Sequence, residues 1–456
     1  MSATHHAARP GPPSLRPLRT VWLALLAAGA SLAVLAASAR APARVLWMWS
    51  GGVTASSATV KARVLPPGAD ARLVISRQPD FVESEGNFAE SADANGIVSF
   101  TPGRLDPGTQ YYYAIEAGGR RSAVGRFRTF RTGPMSFRVA AASCASTGSR
   151  SGIFLAIDQL QPDLFVHMGD LHYEDIAEPA VARFLRAYDA VFSSGPQAAL
   201  YRHVPVAYVW DDHDYGPNDS DRTSPSREAS QAAYRAAVPH YPLAGSGPIN
   251  QAFTIGRVRF ILTDIRSERS PVRAPDDGRK SMLGEAQRLW LVEQLADASP
   301  LPLVVWVNTV PWITRRGSAG DGWQPYSRER TLIANAIHRL DLTRRLVMLS
   351  GDAHMSAIDD GTHSNYATES PSERGFVVLH AAPLDRRTSY KGGPYSHGAS
   401  LKRGQFGLLE VNDDGATLRV EVSARNLEGA VIPRLTLTLT CDGRECRVAG
   451  PTSAAP

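Results

Sequence analysis

Four short segments of this 456-residue chain carry side chains that can bind a metal ion or move a proton, and each follows an apolar run typical of a buried strand. The segments are Ser143-Cys144, Gly169-Asp170 with Tyr173, Asp211-Asp212-His213-Asp214, and Gly351-Asp352-Ala353-His354. Charged groups at the end of a buried strand are costly unless they are paired or bind a cation. Carboxylates crowded into residues 211–214 repel one another, and a cation relieves that repulsion best.

Taken singly, each segment also has an ordinary structural explanation. Gly169-Asp170 is a common turn, residues 211–214 resemble a solvated loop that caps a helix, and Cys144 is typical of an inert buried thiol. In an α/β sheet, however, residues that follow the carboxyl ends of strands converge even when they are distant in sequence. The four segments together therefore predict a metal-binding active site.

The motifs resemble those of one family. Ala142-Ser143-Cys144, Gly169-Asp170-x-x-Tyr173-Glu174, Trp210-Asp211-Asp212-His213-Asp214 and Gly351-Asp352-x-His354 are similar to motifs of the PhoD-like alkaline phosphatase/phosphodiesterase family, a branch of the calcineurin-like metallophosphatases. The resemblance covers roughly residues 137–409 and implies hydrolysis of phosphate mono- or diesters. Asp214 stands where many members have glutamate, so the resemblance leaves open whether it supports the ligands.

The chemistry of phosphate esters calls for two cations, which neutralise the phosphate and generate a hydroxide at neutral pH. We expect Asp170 to bridge them, as the family would place it. The remaining ligands of the first metal would be Cys144, Tyr173 and His354; those of the second would be Asp212 and Asp352, completed by Asn218 or Asn308. Thiolate and phenolate favour Fe³⁺, with Zn²⁺ as the alternative, and oxygen ligands favour Ca²⁺, with Mg²⁺ or Mn²⁺ as substitutes. The resemblance implies the same division between iron and calcium.

Two further residues are candidates for work on the substrate. His213 occupies the position where the superfamily keeps a histidine facing the phosphate, and it would stabilise charge or protonate the leaving alkoxide. Arg266 follows another apolar run and is a candidate phosphate clamp, with a surface salt bridge as an equal alternative. His167 lies inside an apolar run and is interpreted as a core histidine whose ring nitrogens have hydrogen-bond partners, and His172 is left outside the ligand set.

The elements that must position these residues fall into two groups. Residues 44–132 show short alternating strands with turn signals, and residues 105–113 resemble a strand entry of fibronectin type III domains, where a tyrosine hydroxyl ties the strand to the preceding corner. Residues 133–448 alternate apolar runs with helical patterns, which indicates an α/β domain. We expect a four-layer α/β/β/α metallophosphatase domain preceded by an all-β fibronectin type III-like sandwich, with residues 449–456 as a flexible tail.

The first 43 residues read as a signal peptide or membrane anchor. An apolar run at residues 21–39 follows Arg16 and Arg19, and Ala37-Ser38-Ala39 offers a cleavage site. Cleavage and retention as an anchor both place the rest of the chain outside the cytoplasm, in the periplasm or the medium. Cys441 and Cys446 bracket a turn-like loop, where a local disulfide suits that compartment.

Charge argues against nucleic acid as the main partner. Residues 1–39 contribute three arginines and no acid to the formal net charge of +5, so the remainder is nearly balanced. Two alternatives remain open: a non-catalytic surface protein that binds through the sandwich and uses the metal structurally, and a phospholipase or nuclease with the same metal chemistry. Retention of His213 argues against the first, because a structural site needs no proton donor.

Overall fold

A computed structural model of the chain describes Gly11 and residues 42–314 and 320–449. The apolar segment at residues 21–39 and the tail from residue 450 lie outside the described residues. Among the helices within those ranges, none has the length and apolar character that crossing a bilayer requires. The described residues from Ala43 onward form one compact unit.

The described chain begins with strands only. They are β1 (Arg44–Gly51), β2 (Thr59–Leu65), β3 (Asp70–Ser76), β4 (Gly86–Ser91), β5 (Ile97–Phe100), β6 (Gln110–Ala117), β7 (Arg120–Arg121) and β8 (Gly125–Arg128). In β2, alternate residues are buried, as its alternating sequence requires. The Tyr111 hydroxyl accepts a hydrogen bond from the backbone N–H of Asp106 (2.9 Å), which is the tie that the sequence suggested.

From Phe137 onward, strands and helices alternate. The elements are β9 (Phe137–Ala142), α1 (Ile153–Gln159), β10 (Leu164–Met168), α2 (Val181–Phe192), α3 (Gly195–His203), β11 (Val206–Val209), α4 (Asp212–Tyr215), α5 (Arg227–Ala237), β12 (Gln251–Ile255), β13 (Val258–Leu262), α6 (Glu285–Asp297), β14 (Leu303–Val307), α7 (Ser327–Arg339), β15 (Leu346–Ser350), β16 (Ser356–Asp359), β17 (Val377–Ala381) and β18 (Ala399–Ser400). Short 3₁₀ turns precede α7 and β15, at Gln324–Tyr326 and Thr343–Arg345.

The described chain closes with antiparallel hairpins. Their strands are β19 (Phe406–Asp413), β20 (Thr417–Arg425), β21 (Val431–Asp442) and β22 (Glu445–Ala449). A disulfide joins Cys441 to Cys446 across the last hairpin, where the two residues are directly paired.

These strands form three sheets. A ten-stranded sheet has the order β22-β21-β20-β19-β9-β10-β11-β1-β2-β5, a seven-stranded sheet has the order β12-β13-β14-β15-β17-β16-β18, and a five-stranded sheet contains β4-β3-β6-β7 with β8 paired to β6. Strands β9, β10 and β11 are parallel neighbours in the first sheet, and β13, β14, β15 and β17 are parallel in the second. Parallel strands are buried on both faces, which explains their continuous apolar sequences.

The two faces of the seven-stranded sheet pack against different partners. Phe260, Val305 and Leu349 belong to the core shared with the ten-stranded sheet. Their sequence neighbours Trp306 and Met348 point to the opposite face, where they share a second core with helices α6 and α7. Side chains alternate along each strand, so one sheet serves two cores. The sheets thus lie face to face, with helices outside the second one.

The N-terminal strands are joined to the α/β part through backbone pairing. Gly51 at the end of β1 pairs with Val206 of β11, so β1, β2 and β5 extend the ten-stranded sheet across the boundary expected near residue 132. The Tyr113 hydroxyl also donates to the carbonyl of Arg202 at 3.1 Å. The N-terminal strands therefore support the ten-stranded sheet through backbone pairing and a side-chain hydrogen bond.

His167 in β10 lies in the core, as the sequence suggested, but neither of its ring nitrogens has a hydrogen-bond partner among the described residues. Burial lowers its pKa from 6.5 to about 3. The unfolded chain therefore takes up a proton below about pH 6.5 that the folded chain does not bind until about pH 3. The stability that this histidine contributes is complete above pH 6.5 and is lost as the pH falls toward 3.

We predict that the free energy of unfolding of the wild type, relative to that of His167→Leu, falls by about 2 kcal/mol between pH 6.5 and pH 5. Urea denaturation of both proteins at the two pH values measures this difference. The other titrating groups cancel because both proteins contain them. A difference that does not change with pH would contradict the account.

Candidate metal centre

Both large sheets contribute to one cluster of polar side chains. Cys144 follows β9, Asp170 follows β10, and Asp211 to Asp214 follow β11, at adjacent carboxyl ends in the ten-stranded sheet. Asp352 and His354 follow β15 of the seven-stranded sheet. The residues that the four motifs predicted to converge are brought together where the two sheets face each other.

Three of these residues adopt a left-handed backbone conformation, which is rare for residues other than glycine. The φ angles are 63° at Cys144, 55° at Asp170 and 64° at Asp352. Each such residue costs on the order of 1–3 kcal/mol, which the surrounding structure must offset. All three stand at strand ends and aim a candidate ligand inward, so the strain coincides with the need to bring these groups together.

Two glycines allow the loops to approach closely. A Cβ at Gly169, whose φ is +87°, would collide with Asp211. A Cβ at Gly351 would lie 2.7 Å from the Ser143 hydroxyl oxygen. The glycines of the two Gly-Asp motifs are therefore required by the contact between neighbouring loops, and not only by the turns themselves.

One group of candidate ligands contains a thiol, a carboxylate and an imidazole. Ligand atoms of Cys144, Asp170 and His354 all lie within 4.8 Å of one another. Cys144 Sγ is 3.4 Å from Asp170 Oδ2. The Tyr173 hydroxyl donates to the same oxygen at 2.6 Å and lies 3.1 Å from His354 Nε2. Tyr173 thus joins the three residues as a fourth potential ligand.

Burial stabilises the uncharged forms of Cys144, Tyr173 and His354. Burial, followed by the charge of Asp170, raises the pKa of Cys144 well above its usual value and likewise raises the pKa of Tyr173. Burial lowers the pKa of His354 to about 4, so its imidazole is neutral and able to bind a cation. Only a strongly charged cation would make both the thiol and the phenol lose their protons at neutral pH.

Carboxylates dominate the neighbouring groups. Asp170, Asp212 and His213 form a second set of mutually close ligand atoms, and Asp211, Asp212 and Asp321 form a third. Burial raises the pKa of Asp352 to about 6. Burial also acts to raise the pKa of Asp212, but Arg266, His213 and the hydrogen bond from the Asp219 N–H outweigh it and lower that pKa to about 2.

Several buried carboxylate oxygens have no hydrogen-bond partner among the described residues. They are Asp170 Oδ1, Asp211 Oδ2, Asp212 Oδ1 and Asp352 Oδ2. A buried charged oxygen without a partner is expensive, and binding a divalent or trivalent cation satisfies it. The donor set and these free oxygens therefore fit metal ions at this position.

Asp214 connects two of the loops that carry candidate ligands. Its Oδ2 accepts hydrogen bonds from the backbone N–H of Leu171 (2.8 Å) and the hydroxyl of Tyr208 (2.6 Å), and its Oδ1 accepts from the backbone N–H of Asp211 (2.7 Å). One carboxylate thus ties the loop that follows Asp170 to the loop that carries Asp211.

His213 lies at the rim of the cluster. Its Nδ1 is 2.6 Å from Asp175 Oδ1, and its ring centre is 4.1 Å from that of Tyr173. Asp175 therefore sets the orientation of the imidazole. The hydrogen bond at Nδ1 leaves Nε2 as the ring nitrogen available to a ligand or a substrate.

Arg266 has a different environment from that of an exposed phosphate clamp or a surface salt bridge. Its guanidinium is fully buried, and it is bound by Asp321 and by Asp211, whose Oδ1 lies 2.6 Å from Nε. It also lies 3.6 Å from Asp212 Oδ1. A group with carboxylates on both sides neutralises the cluster, which explains the difference from the expectation.

The two candidate asparagines are placed differently. Asn308 is buried at the end of β14, where its side-chain oxygen accepts a hydrogen bond from Trp323 (2.8 Å) and its amide donates to the Val310 carbonyl (2.7 Å). Asn218 is exposed in the loop after α4, and the neighbouring Asp219 N–H donates to Asp212 Oδ2 at 2.7 Å.

Four further residues at the cluster escaped the sequence analysis: Asp175, Asp321, Arg386 and Lys391. Lys391 Nζ donates to Asp352 Oδ1 at 2.6 Å, and the Arg386 guanidinium lies 3.8 Å from the centre of the Tyr173 ring. The Gly392-Gly393-Pro394 run that follows Lys391 is typical of a loop with tight turns, and it was the sequence feature that could have drawn attention to this segment. Asp321 lies in a loop without any pattern that would have singled it out.

Comparison with known proteins gives a consistent result. A family model described as PhoD-like phosphatase matches residues 139–403. A solved structure entitled "Structure of PhoD" is similar at 18% identity with a TM-score of 0.73, covering 90% of this chain and 92% of that one. The purple acid phosphatase PPD1 from yellow lupin (Lupinus luteus) seeds is similar at 14% identity with a TM-score of 0.63, covering 88% and 75%. A search of curated proteins finds no match.

The two structures share the fold, and the family model spans more than half of the chain, including all four motifs. The chain therefore belongs to the PhoD-like phosphatase family and is a metal-dependent phosphoesterase.

Proposed function

We propose that this protein hydrolyses phosphate mono- or diesters outside the cytoplasm, at a centre that holds two metal ions. The observation that carries the proposal is the position of Asp170, which belongs to two groups of mutually close ligand atoms. Its Oδ2 contacts Tyr173 and Cys144, while its Oδ1 has no partner among the described residues. A carboxylate that belongs to both groups and has a free oxygen suits a bridging ligand.

We assign Cys144, Asp170, Tyr173 and His354 to the first cation, and Asp170, Asp212 and Asp352 to the second, with Asn218 or Asn308 as a further ligand. The thiol and phenol support Fe³⁺ at the first position, and the oxygen donors support Ca²⁺ at the second, with Zn²⁺, Mn²⁺ or Mg²⁺ as substitutes. When bound, the two cations would neutralise the phosphate and lower the pKa of a water molecule.

The chain's own residues supply the proton that the departing alcohol needs. Asp175 holds Nδ1 of His213, so a protonated His213 would donate from Nε2 to the leaving oxygen. Arg266 would act indirectly, since its ion pairs with Asp211, Asp212 and Asp321 hold these carboxylates in place. Its charge also lowers the pKa of Asp212.

The architecture supports the finer interpretation of the fold. The packing of two sheets with outer helices suits a four-layer α/β/β/α domain, and the tie between Tyr111 and Asp106 suits a fibronectin type III-like sandwich before it. The disulfide between Cys441 and Cys446 suits an oxidising compartment, either periplasmic or extracellular. Residues 21–39 would direct export and would anchor the protein in the membrane if they are not cleaved.

Replacing the bridging carboxylate tests the proposal. We predict that the wild type binds two metal ions per chain and hydrolyses a generic phosphomonoester or diester. Asp170→Asn should bind at most one ion and lose at least about 100-fold in kcat, because a neutral amide neither bridges nor balances two cations. Elemental analysis and steady-state kinetics measure both quantities.

Asp341→Asn, which changes an exposed carboxylate in the same way, serves as the control. The proposal fails if the wild type binds no more than one ion and cleaves neither ester. An undiminished rate in Asp170→Asn would instead remove its bridging role.

Replacing the phenol tests the identity of the first metal. A phenolate bound to Fe³⁺ gives a visible charge-transfer band, so the iron-loaded wild type should be coloured and Tyr173→Phe should lose that band. Tyr208→Phe also removes a buried hydroxyl that hydrogen-bonds an aspartate, and it should keep the band. An unchanged absorption spectrum in Tyr173→Phe would contradict the assignment.

The role of Asp214 predicts a graded loss of stability. Asp214→Ala leaves three donors unsatisfied and should lower the free energy of unfolding by about 3 kcal/mol, whereas Tyr208→Phe removes one of these hydrogen bonds and should cost about 1 kcal/mol. Urea denaturation of the metal-free proteins compares them. Equal effects of the two substitutions would show that Asp214 does not tie the loops together.

A further inference from the structure

The loop between β17 and β18 places two cationic side chains on the candidate metal centre. Lys391 Nζ contacts Asp352 Oδ1 at 2.6 Å. The Arg386 guanidinium lies 3.8 Å from the centre of the Tyr173 ring. Asp352 is assigned to one cation and Tyr173 to the other, so the loop presents one positive group to each half of the centre.

The backbone of this loop is held against the same residues. The N–H of Leu384 donates to the Ser143 carbonyl at 3.0 Å, and that of Ser389 donates to the His354 carbonyl at 3.1 Å. Beyond Lys391, the N–H of Gly393 donates to the Ile313 carbonyl at 2.8 Å. These backbone hydrogen bonds flank Arg386 and Lys391. They therefore fix the backbone positions from which the two side chains extend.

Both cations remain available to a ligand, in contrast to Arg266. Arg386 forms no ion pair among the described residues, and its buried Nε has no hydrogen-bond partner there. The side chain of Lys391 is 42% exposed and has Asp352 as its partner. Arg386 thus has a hydrogen-bond donor without a partner beside Tyr173. Lys391 is partly exposed to solvent and contacts the centre through Asp352.

We propose that Arg386 and Lys391 bind the terminal oxygens of the substrate's phosphoryl group. The inference rests on the proposed function. A cation at Asp352 would repel the Lys391 ammonium, and the flexible stem of lysine lets Nζ move to a neighbouring anion. The planar guanidinium of Arg386 offers paired donors that match phosphate oxygens. The role of phosphate clamp, for which the sequence offered Arg266 as one candidate, is thereby proposed for this loop.

A simpler role for Lys391 is to neutralise Asp352 alone, and the two roles give different results. A lysine that only balances Asp352 has no contact with phosphate once a metal ion is bound, so its loss would leave the affinity for phosphate unchanged. A lysine that binds the phosphoryl group loses a charged hydrogen bond on substitution, which corresponds to a loss of about 10- to 100-fold in affinity.

The test is calorimetric titration of the metal-loaded full-length protein with inorganic phosphate, together with elemental analysis of the same samples. We expect Lys391→Gln and Arg386→Gln each to weaken phosphate binding by about 10- to 100-fold with the metal content unchanged, and Lys391→Arg to restore most of the affinity. Lys402→Gln, which removes an exposed positive charge beyond the loop, should bind phosphate as the wild type does.

Unchanged phosphate affinity in both neutral variants overturns the inference. Loss of metal in those variants also overturns it, since the two residues would then support the ligands rather than the substrate. Ester hydrolysis by the wild type, measured on the same preparations, distinguishes failure of this inference from failure of the proposed function. If the wild type is active and the variants keep their phosphate affinity, only the phosphate-binding role of Arg386 and Lys391 is contradicted. If the wild type cleaves neither ester, the proposed function itself is contradicted.

Discussion

Repulsion among buried carboxylates is the constraint around which this protein is built. Six aspartate side chains are buried in one region: Asp170, Asp211, Asp212, Asp214, Asp321 and Asp352. Two like charges 4 Å apart repel by about 4 kcal/mol at the effective dielectric constant near a protein surface. Arg266, Arg269 and Lys391 offset part of this charge. Metal ions at the carboxylate oxygens without hydrogen-bond partners would balance the rest and so stabilise the cluster.

The surrounding fold places these charged groups close together. Adjacent parallel strands end at one edge, which delivers Cys144, Asp170 and Asp212 from three neighbouring loops. The facing sheet delivers Asp352 and His354. Left-handed conformations at three of these residues, and glycines where the loops touch, let the side chains point inward at short range. The strain is sustained because two extensive apolar cores hold the strands in place.

The sequence predicted those parts of the site that depend on local pattern. Apolar runs followed by Gly-Asp or Asp-Asp-His identified strand ends, and parallel strands bring such ends together, so the positions of Cys144, Asp170, Asp212 and His354 followed from a general rule. Arg266 shows that this rule does not predict the partners of a residue. Its position after an apolar run is visible in the sequence, but the two carboxylates that enclose it come from loops 55 residues away on either side.

Residues that reach the site from irregular loops were invisible for the same reason. Asp321, Arg386 and Lys391 belong to no periodic pattern, and their roles depend on tertiary contacts with Arg266, Tyr173 and Asp352. The boundary expected near residue 132 marks a real change of pattern, yet backbone pairing between β1 and β11 crosses it. Such pairing between distant strands cannot be read from local sequence.

The central claim is that Asp170 bridges two cations of different kinds. Anomalous diffraction from crystals of the metal-loaded protein, recorded on both sides of the iron absorption edge, tests it most directly. The account predicts two separate peaks about 3.5–4 Å apart, with the Asp170 carboxylate between them. Only the peak beside Cys144 and Tyr173 should change across the edge. A single peak, or two peaks without Asp170 between them, would contradict the account.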